Sequence, residues 1–319
     1  MWRPEQVINN NTDNMLYKIF RGLSHVDYYI YKLIEKNRER RRFMVDFFIH
    51  LPLFFFRGEL KKRFKLQEKK NKPIHIVLTS PAMDKTLHLL DEVEGDVFLV
   101  NGAMSIKSLS RYEVKYIVAL DESCLYTKWF LGFYEYWLKK ENVTLIAEDT
   151  AITKSSLRNK ENIKNLPIKK VVSGEYSWDK LGNMGLFALK TGLSYVGGDS
   201  GLFSIWSAIQ LGYKEIYVHG YQCDRLYDFR VYNDNSWESK EHEYSKLIKE
   251  WVDAINMCIE NEPRTWERME NDHMMIREFL NETLNMYNEM YSIKWYADCV
   301  GAKIYNLTSD SGADCFEKM

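Results

Sequence analysis

The residues best placed to do chemistry in this chain form a glycine-rich segment, Gly197-Gly198-Asp199-Ser200-Gly201, which an apolar helical stretch follows. Asp199 or Ser200 can cap that helix, because a side-chain oxygen at this position accepts hydrogen bonds from the unpaired amides. Glycines let a backbone approach a ligand closely, and a helix begins with a partial positive charge. The segment therefore predicts an anion site at the helix start. The alternative is a tight turn that leads into a buried helix and binds nothing.

Polar residues also follow several short apolar runs. Residues 74–78, 96–100 and 116–120 are typical of buried strands, and a further run lies at 215–218. The carboxyl ends of parallel strands meet at one edge of a sheet, where ligands bind. We therefore expect one ligand-binding site at this edge. The residues expected to line it are Thr79, Ser80, Asn101, Gly102, Asp121, Gly198, Asp199, Ser200, Gly201 and Tyr221.

The order of predicted elements indicates an α/β fold, with a mostly parallel, Rossmann-like sheet and helices on both faces. Further strands are predicted at 143–147, 170–172 and 302–307, and helices at 13–46, 83–90, 239–259 and 274–299. The helix after Gly201 is apolar on nearly every side, so we expect it at the centre of the fold. Gly212 is suited to end it in a left-handed conformation.

Histidines and tyrosines are the candidates for group transfer, which requires a base near the acceptor hydroxyl and donors to the leaving phosphate. His273 is the preferred base, because it lies in a polar segment that leads into a helix, and His219 and His242 are alternatives. Tyr227 and Tyr232 are expected to donate to the phosphate. No two histidines have the spacing His-x-x-x-His and no Asp-x-Asp occurs. We therefore expect no metal ion and no cofactor.

Composition excludes several protein classes. The net charge of -1 gives no general signal for nucleic-acid binding. Five cysteines without a Cys-x-x-Cys pair indicate reduced thiols and a cytoplasmic setting. The polar start is unlike a signal peptide, and no apolar run approaches the roughly 20 residues that cross a bilayer.

Basic residues concentrate in the first part of the chain, which predicts an N-terminal helical arm at 1–72 before a catalytic domain at 73–319. Within residues 38–70, clusters of Lys and Arg flank the apolar run 47–56. Such a segment can rest on the inner face of an anionic membrane. Alternatively it docks on the main domain or on another subunit, which allows for a homo-oligomer.

The block from Ser200 to Gly220 carries a family resemblance. It has a Ser-Gly, an apolar helix, then Leu-Gly-Tyr-Lys-Glu-Ile-Tyr and a strand that ends in glycine. This block resembles the bacterial sialyltransferases of glycosyltransferase family 42 and a related family of unknown function that includes hydroxymethylpterin diphosphokinases. Thr79-Ser80-Pro81 resembles the first nucleotide loop, and residues 96–101 resemble the second strand with its donor-contacting Asn. The order of elements extends the resemblance to 73–310, although only 200–220 is specific.

The resemblance implies an inverting, metal-independent glycosyltransferase with a GT-A-variant-like domain. Its donor would be a CMP-activated nonulosonate such as sialic acid, and its acceptor a surface glycan or glycolipid in polysaccharide biosynthesis. It further implies donor contacts from Asn101, Ser200 and Gly201, a base at His273 and tyrosines on the phosphate. Gly220-Tyr221-Gln222 departs from the family's Gly-Ile-Asp-like strand end. The identities of the sugar and of the nucleotide base therefore stay open. The alternatives are a pterin diphosphokinase and a non-catalytic nucleotide-binding or assembly module.

Overall fold

The computed structural model describes residues 40, 41, 43–45, 48, 65–78, 80–120, 128–140, 142–147, 177–196, 199–221, 273–309 and 311–319. Several predictions lie outside these residues. They concern Thr79, Asp121, Gly198, Tyr227, Tyr232, His242, the strand at 170–172 and the helix at 239–259.

The described residues form one sheet of seven parallel strands, which confirms the predicted α/β class. The strands are β1 Ile74–Val77, β2 Asp96–Val100, β3 Val114–Ala119, β4 Thr144–Ala147, β5 Glu215–His219, β6 Lys303–Asn306 and β7 Glu317–Lys318. Their order is β4-β3-β2-β1-β5-β6-β7. The predicted strands at 74–78, 96–100, 116–120, 143–147, 215–218 and 302–307 are therefore present, each with slightly different ends.

The α-helices of the described residues are α1 Leu89–Glu92, α2 Lys128–Leu138, α3 Trp178–Leu181, α4 Asn183–Lys190, α5 Ser200–Gln210 and α6 His273–Val300. Short 3-10 helices span Pro81–Lys85, Asn101–Ser105 and Lys107–Arg111. The helical stretch predicted at 83–90 is present but is divided into two short helices. A 3-10 helix ends at Lys85, Thr86 caps it, and α1 begins only at Leu89.

Two apolar cores cover the two faces of the sheet. On one face, Ile76 and Val218 pack in a cluster with α5 and α6. On the other, Val77 and Leu99 pack with α2 through Tyr134. Residues 201–210 of α5 are all buried, which confirms that this helix is central.

Residues 65–72 pack on the sheet domain although they precede the predicted boundary at 72/73. The amides of Leu66, Gln67 and Lys70 donate to the carbonyls of Lys190 (3.1 Å), Gln210 (2.8 Å) and Gly212 (2.8 Å). This segment therefore runs across the carboxyl ends of α4 and α5. Lys72 then forms an ion pair with Asp96 at 2.6 Å.

A helical piece of the predicted arm also contacts the domain. Residues 40, 41, 43–45 and 48 are helical, and Phe43 packs edge-on against Trp178 with ring centroids 6.1 Å apart. Val45 and Phe48 are exposed. Docking on the domain thus holds for Phe43, while contact of this arm with a membrane or another subunit stays a prediction. No helix in the described part of the chain combines the length and apolarity needed to cross a bilayer.

Candidate functional site

The strand order places a topological switch between β1 and β5. The chain moves from β1 outward through β2 and β3 to β4, then returns to the other side of β1 and continues through β5 to β6. At such a reversal the connections leave in opposite directions, which opens a crevice beyond the carboxyl ends of the two strands. The residues that follow β1 and β5 therefore form the walls of the candidate site.

The wall that follows β1 is fixed by local hydrogen bonds. The Leu78 amide donates to the carbonyl of His219 at 3.0 Å, which joins the ends of the two strands. Ser80 then caps the 3-10 helix, because its hydroxyl accepts from the Ala82 amide at 3.2 Å. The Ser80 carbonyl accepts a hydrogen bond from the Met83 amide at 2.9 Å. Ser80 is buried at the base of this wall.

The wall that follows β5 touches the first one directly. Gly220 has a φ of +73°, and a Cβ added there would lie 3.0 Å from the Met83 Cβ and 3.2 Å from the Ser80 carbonyl oxygen. Only glycine combines this backbone conformation with so close an approach. Tyr221 follows, with its backbone carbonyl accepting from the Asn306 Nδ2 at 3.0 Å. The last residue of β6 therefore supports this wall.

The start of α5 closes the site from the side. Asp199 is the N-cap, and its Oδ1 accepts from the amides of Gly201 at 2.6 Å and Leu202 at 2.9 Å. Its Oδ2 accepts from the Tyr221 hydroxyl at 3.2 Å. The two amides that the sequence suggested for an anion are therefore already bonded to a carboxylate. The helix start bears a negative charge of its own, which repels a phosphate placed on it.

Asn101 stands at the end of β2, next to the switch. It is the one non-glycine residue with a positive φ, +50°, in the part of the chain that the structure describes. Its Oδ1 is buried and has no hydrogen-bond partner among the residues that the structure describes. A left-handed backbone and an unpaired buried acceptor both cost free energy, and such features concentrate at functional sites. Gly102 is buried beside it.

His219 is wrong as a candidate base. It is fully buried, and its two ring nitrogens lie 3.0 Å from His75 Nδ1 and 3.0 Å from Thr86 Oγ1. Burial, with the nearby His75 ring, lowers the pKa of His219 to about 3. An acceptor hydroxyl cannot reach this ring. His273 is the first residue of α6, but its side chain lies outside the described part.

The structure therefore brings part of the predicted site together. Asp199 contacts Gly201 and Tyr221, and Ser80 lies against Gly220. Ser200, the first residue of α5, and Asn101 with Gly102 lie at the same edge. Gly201 packs closely, because a Cβ there would lie 2.7 Å from Leu78 Cδ2 and 2.9 Å from Tyr221 Cε2. The contact of Gly201 with a donor substrate stays a prediction, as do the contacts predicted for the other site residues.

Sequence reasoning missed Asn306 and the support it gives to Tyr221. The signal was present, since Asn306 is a polar residue at the end of a predicted strand, as Asn101 is. It also missed His75 and Thr86, whose partners lie far away in the chain. Among the described residues, no group of three or more His, Cys, Asp or Glu side chains is arranged to hold a metal ion.

Comparison with known proteins gives one distant likeness. No protein-family model matches the chain, and no curated protein matches it. A solved structure of the sialyltransferase CstII from Campylobacter jejuni in complex with a substrate analogue, cytidine-5'-monophosphate, is similar with a TM-score of 0.39 and 12% identity. The alignment covers 79% of this chain and 86% of that chain.

Proposed function

We propose that this chain is a glycosyltransferase that binds a nucleotide-activated sugar at the switch between β1 and β5. The observation that carries the proposal is Asn101, a residue with a left-handed backbone whose buried Oδ1 has no hydrogen-bond partner in the described part of the chain. A ligand that donates a hydrogen bond to this oxygen would offset the cost of leaving it unpaired.

The chemistry of Asn101 indicates which part of the ligand it contacts. Phosphate oxygens at neutral pH are acceptors, so they cannot satisfy an amide oxygen. Ribose hydroxyls and the exocyclic amines of bases are donors and can. We therefore assign the nucleoside part of the donor to the edge formed by β1 and β2, with Asn101 and Ser80 beside it.

Asp199 and Tyr221 do not suit a phosphate. The Asp199 carboxylate accepts hydrogen bonds from the Gly201 and Leu202 amides and from the Tyr221 hydroxyl, and its charge repels a phosphate. The phosphate belongs farther from this carboxylate, and Tyr227 and Tyr232 are proposed to donate to it. The Ser200 hydroxyl, at the first position of α5, is proposed to contact the donor as well.

The finer identity of the substrates rests on the sequence resemblance of residues 200–220. It favours a CMP-activated nonulosonate as donor, a glycan or glycolipid as acceptor, and inversion by direct displacement without a metal ion. His273 would remove the proton from the acceptor hydroxyl as the bond to the phosphate breaks. The setting proposed is the cytoplasm, with the arm at 38–70 on the inner membrane surface.

Titration with nucleotides tests the donor site. By calorimetry, wild-type protein should bind CMP, and Asn101→Ala should weaken binding about tenfold through loss of one hydrogen bond. Asn101→Gly should weaken it equally, because glycine keeps the left-handed backbone and removes only the side chain. Asn288→Ala, at an exposed site on α6, is the control. Absence of CMP binding at millimolar concentration would exclude the donor site, and binding of a pterin instead would favour the diphosphokinase alternative.

Replacing His273 tests the proposed base. His273→Ala should lower turnover about 10²-fold, the usual contribution of a general base, while CMP affinity stays unchanged. Transfer of radiolabelled sugar to an acceptor measures the first quantity and calorimetry the second. His88→Ala serves as control, because His88 is exposed. Equal turnover in His273→Ala and wild-type protein would remove His273 from the mechanism.

A further inference from the structure

A chain of buried polar groups links β1 to β5 behind the candidate site. His75 lies in β1 and His219 in β5, and both are at most 1% exposed. The His75 Nδ1 lies 3.0 Å from the His219 Nε2. The other nitrogens lie 2.8 Å from the Val93 carbonyl oxygen and 3.0 Å from the Thr86 hydroxyl. All four ring nitrogens therefore have one partner each.

The partners fix the direction of every hydrogen bond. The Val93 carbonyl only accepts, so His75 must carry its proton on Nε2. The His75 Nδ1 of a neutral ring then accepts, and His219 must donate to it from Nε2. Neutral His219 in turn accepts at Nδ1. Burial lowers the pKa of His75 as well as that of His219, which keeps both rings neutral.

The Thr86 hydroxyl is the last group in this series of hydrogen bonds, and it has one proton to donate. Its oxygen lies 3.0 Å from His219 Nδ1 and 2.9 Å from the Met83 carbonyl. That carbonyl already accepts from the amides of Thr86 at 2.8 Å and Leu87 at 3.0 Å. With His219 neutral, the hydroxyl proton therefore goes to the ring. The bonds run in one direction, from Thr86 through His219 and His75 to Val93.

The chain of bonds connects the two walls of the candidate site. Thr86 caps the far end of the 3-10 helix Pro81–Lys85, whose near end is Ser80. His219 directly precedes Gly220 and Tyr221, which form the opposite wall. The His219 ring, in β5, thus holds Thr86 and with it the 3-10 helix that forms the wall after β1. His75 stacks on Tyr217 at 5.2 Å, which fixes the other ring from the side.

We propose that His219, acting with His75 and Thr86, is a positioning residue that sets the separation of the Ser80 and Tyr221 walls. The effect of His219 on substrate binding rests on the proposed donor site. Its effect on the separation of the two walls does not. Both rings are buried out of reach of a ligand, so their effect on binding passes through the two walls.

Nitrogen NMR of the wild-type protein tests the direction of the bonds. Both histidines should be neutral at pH 7 and should carry the proton on Nε2. A proton on Nδ1 of either ring would overturn the proposal, because the bonds could not then run from Thr86 to Val93.

Hydrogen exchange and calorimetry test the positioning. Thr86→Val keeps the side-chain shape and removes the hydroxyl, and Thr86→Ser restores it. The control is Tyr134→Phe, which removes another buried hydrogen bond, 2.8 Å from the Tyr134 hydroxyl to the Val118 carbonyl, in the core beneath α2. Thr86→Val should speed exchange of the Leu78 and Met83 amides and weaken CMP binding about tenfold. Thr86→Ser and Tyr134→Phe should do neither.

The outcomes separate this inference from the proposed function. Equal effects of Thr86→Val and Tyr134→Phe on exchange would overturn the positioning role. If wild-type protein binds no CMP, the donor site is wrong, and exchange of the two amides still decides whether Thr86 and His219 hold the walls. If Thr86→Val does not fold, the nitrogen spectra together with Thr86→Ser carry the test.

Discussion

Lowering the pH from 7 to 5 should reduce the free energy of unfolding by about 2 kcal/mol through His219, and His75 should act in the same direction. In the folded protein, burial lowers the pKa of His219 from 6.5 to about 3, and burial lowers that of His75 as well. In the unfolded chain both rings titrate near the ordinary value. Urea unfolding followed by the fluorescence of the nine tryptophans measures the change.

The sign follows from which state takes up protons. Below pH 6.5 the unfolded chain binds a proton at His219, whereas the folded protein keeps this ring neutral, and the lowered pKa of His75 acts with the same sign. The neutral His219 ring therefore costs about 1.4 kcal/mol of stability per pH unit as the pH falls from 6.5 toward the folded pKa. This stability is fully present above pH 6.5.

Two variants isolate the contribution of the buried rings. His219→Gln can still donate to His75 from its amide, but it does not titrate, so its stability should fall less steeply between pH 7 and 5. His88→Asn, at an exposed histidine, is the control for replacing a histidine. The same slope in His219→Gln and in wild-type protein would show that His219 is not held neutral.

Replacing Gly212 with alanine should destabilise the protein by about 3 kcal/mol, the sum of backbone strain and overpacking. Gly212 ends α5 with a φ of +92°, as its position in the sequence predicted. A Cβ there would lie 1.9 Å from the Glu68 carbonyl oxygen, so residues 65–70 would have to move. Urea unfolding gives the loss, and proteolysis at Lys69 or Lys70 reports release of the segment.

Gly301 provides the control for this experiment. It has a φ of +69°, and a Cβ added there meets no atom within 4 Å. Gly301→Ala therefore measures the backbone cost alone, about 1 kcal/mol. If the two variants lose the same stability and resist protease equally, the close contact between Gly212 and residue 68 does not exist in solution.

Much of the fold could be predicted because buried parallel strands leave a simple pattern. Apolar runs such as 96–100, closed by a polar residue, are read correctly without knowledge of their partners. The two-residue strand β7 has no such pattern, since Glu317 and Lys318 are polar and exposed. The broken helix after Ser80 was missed for another reason. Its break at Thr86 is held by a hydrogen bond to a residue 133 positions away, which local spacing cannot show.

The candidate site could be predicted in outline but not in its electrostatics. The strand-end rule located Ser80, Asn101 and Tyr221, because that rule depends only on parallel pairing. It could not show that Asp199 would take the amides of Gly201 and Leu202 for itself, since either Asp199 or Ser200 satisfies the capping pattern. That a carboxylate occupies the start of α5 therefore emerged only from the geometry.

Lys72 has a consequence for any shortened form of the protein. Asp96 is only 4% exposed, and its counter-ion comes from the stretch of chain just ahead of the first strand. A fragment that starts at residue 73 retains all seven strands but leaves this carboxylate buried with the Tyr213 hydroxyl and no cation, which is strongly unfavourable. The smallest piece expected to fold by itself therefore includes Lys72 and the preceding residues 65–70, which pack on α4 and α5.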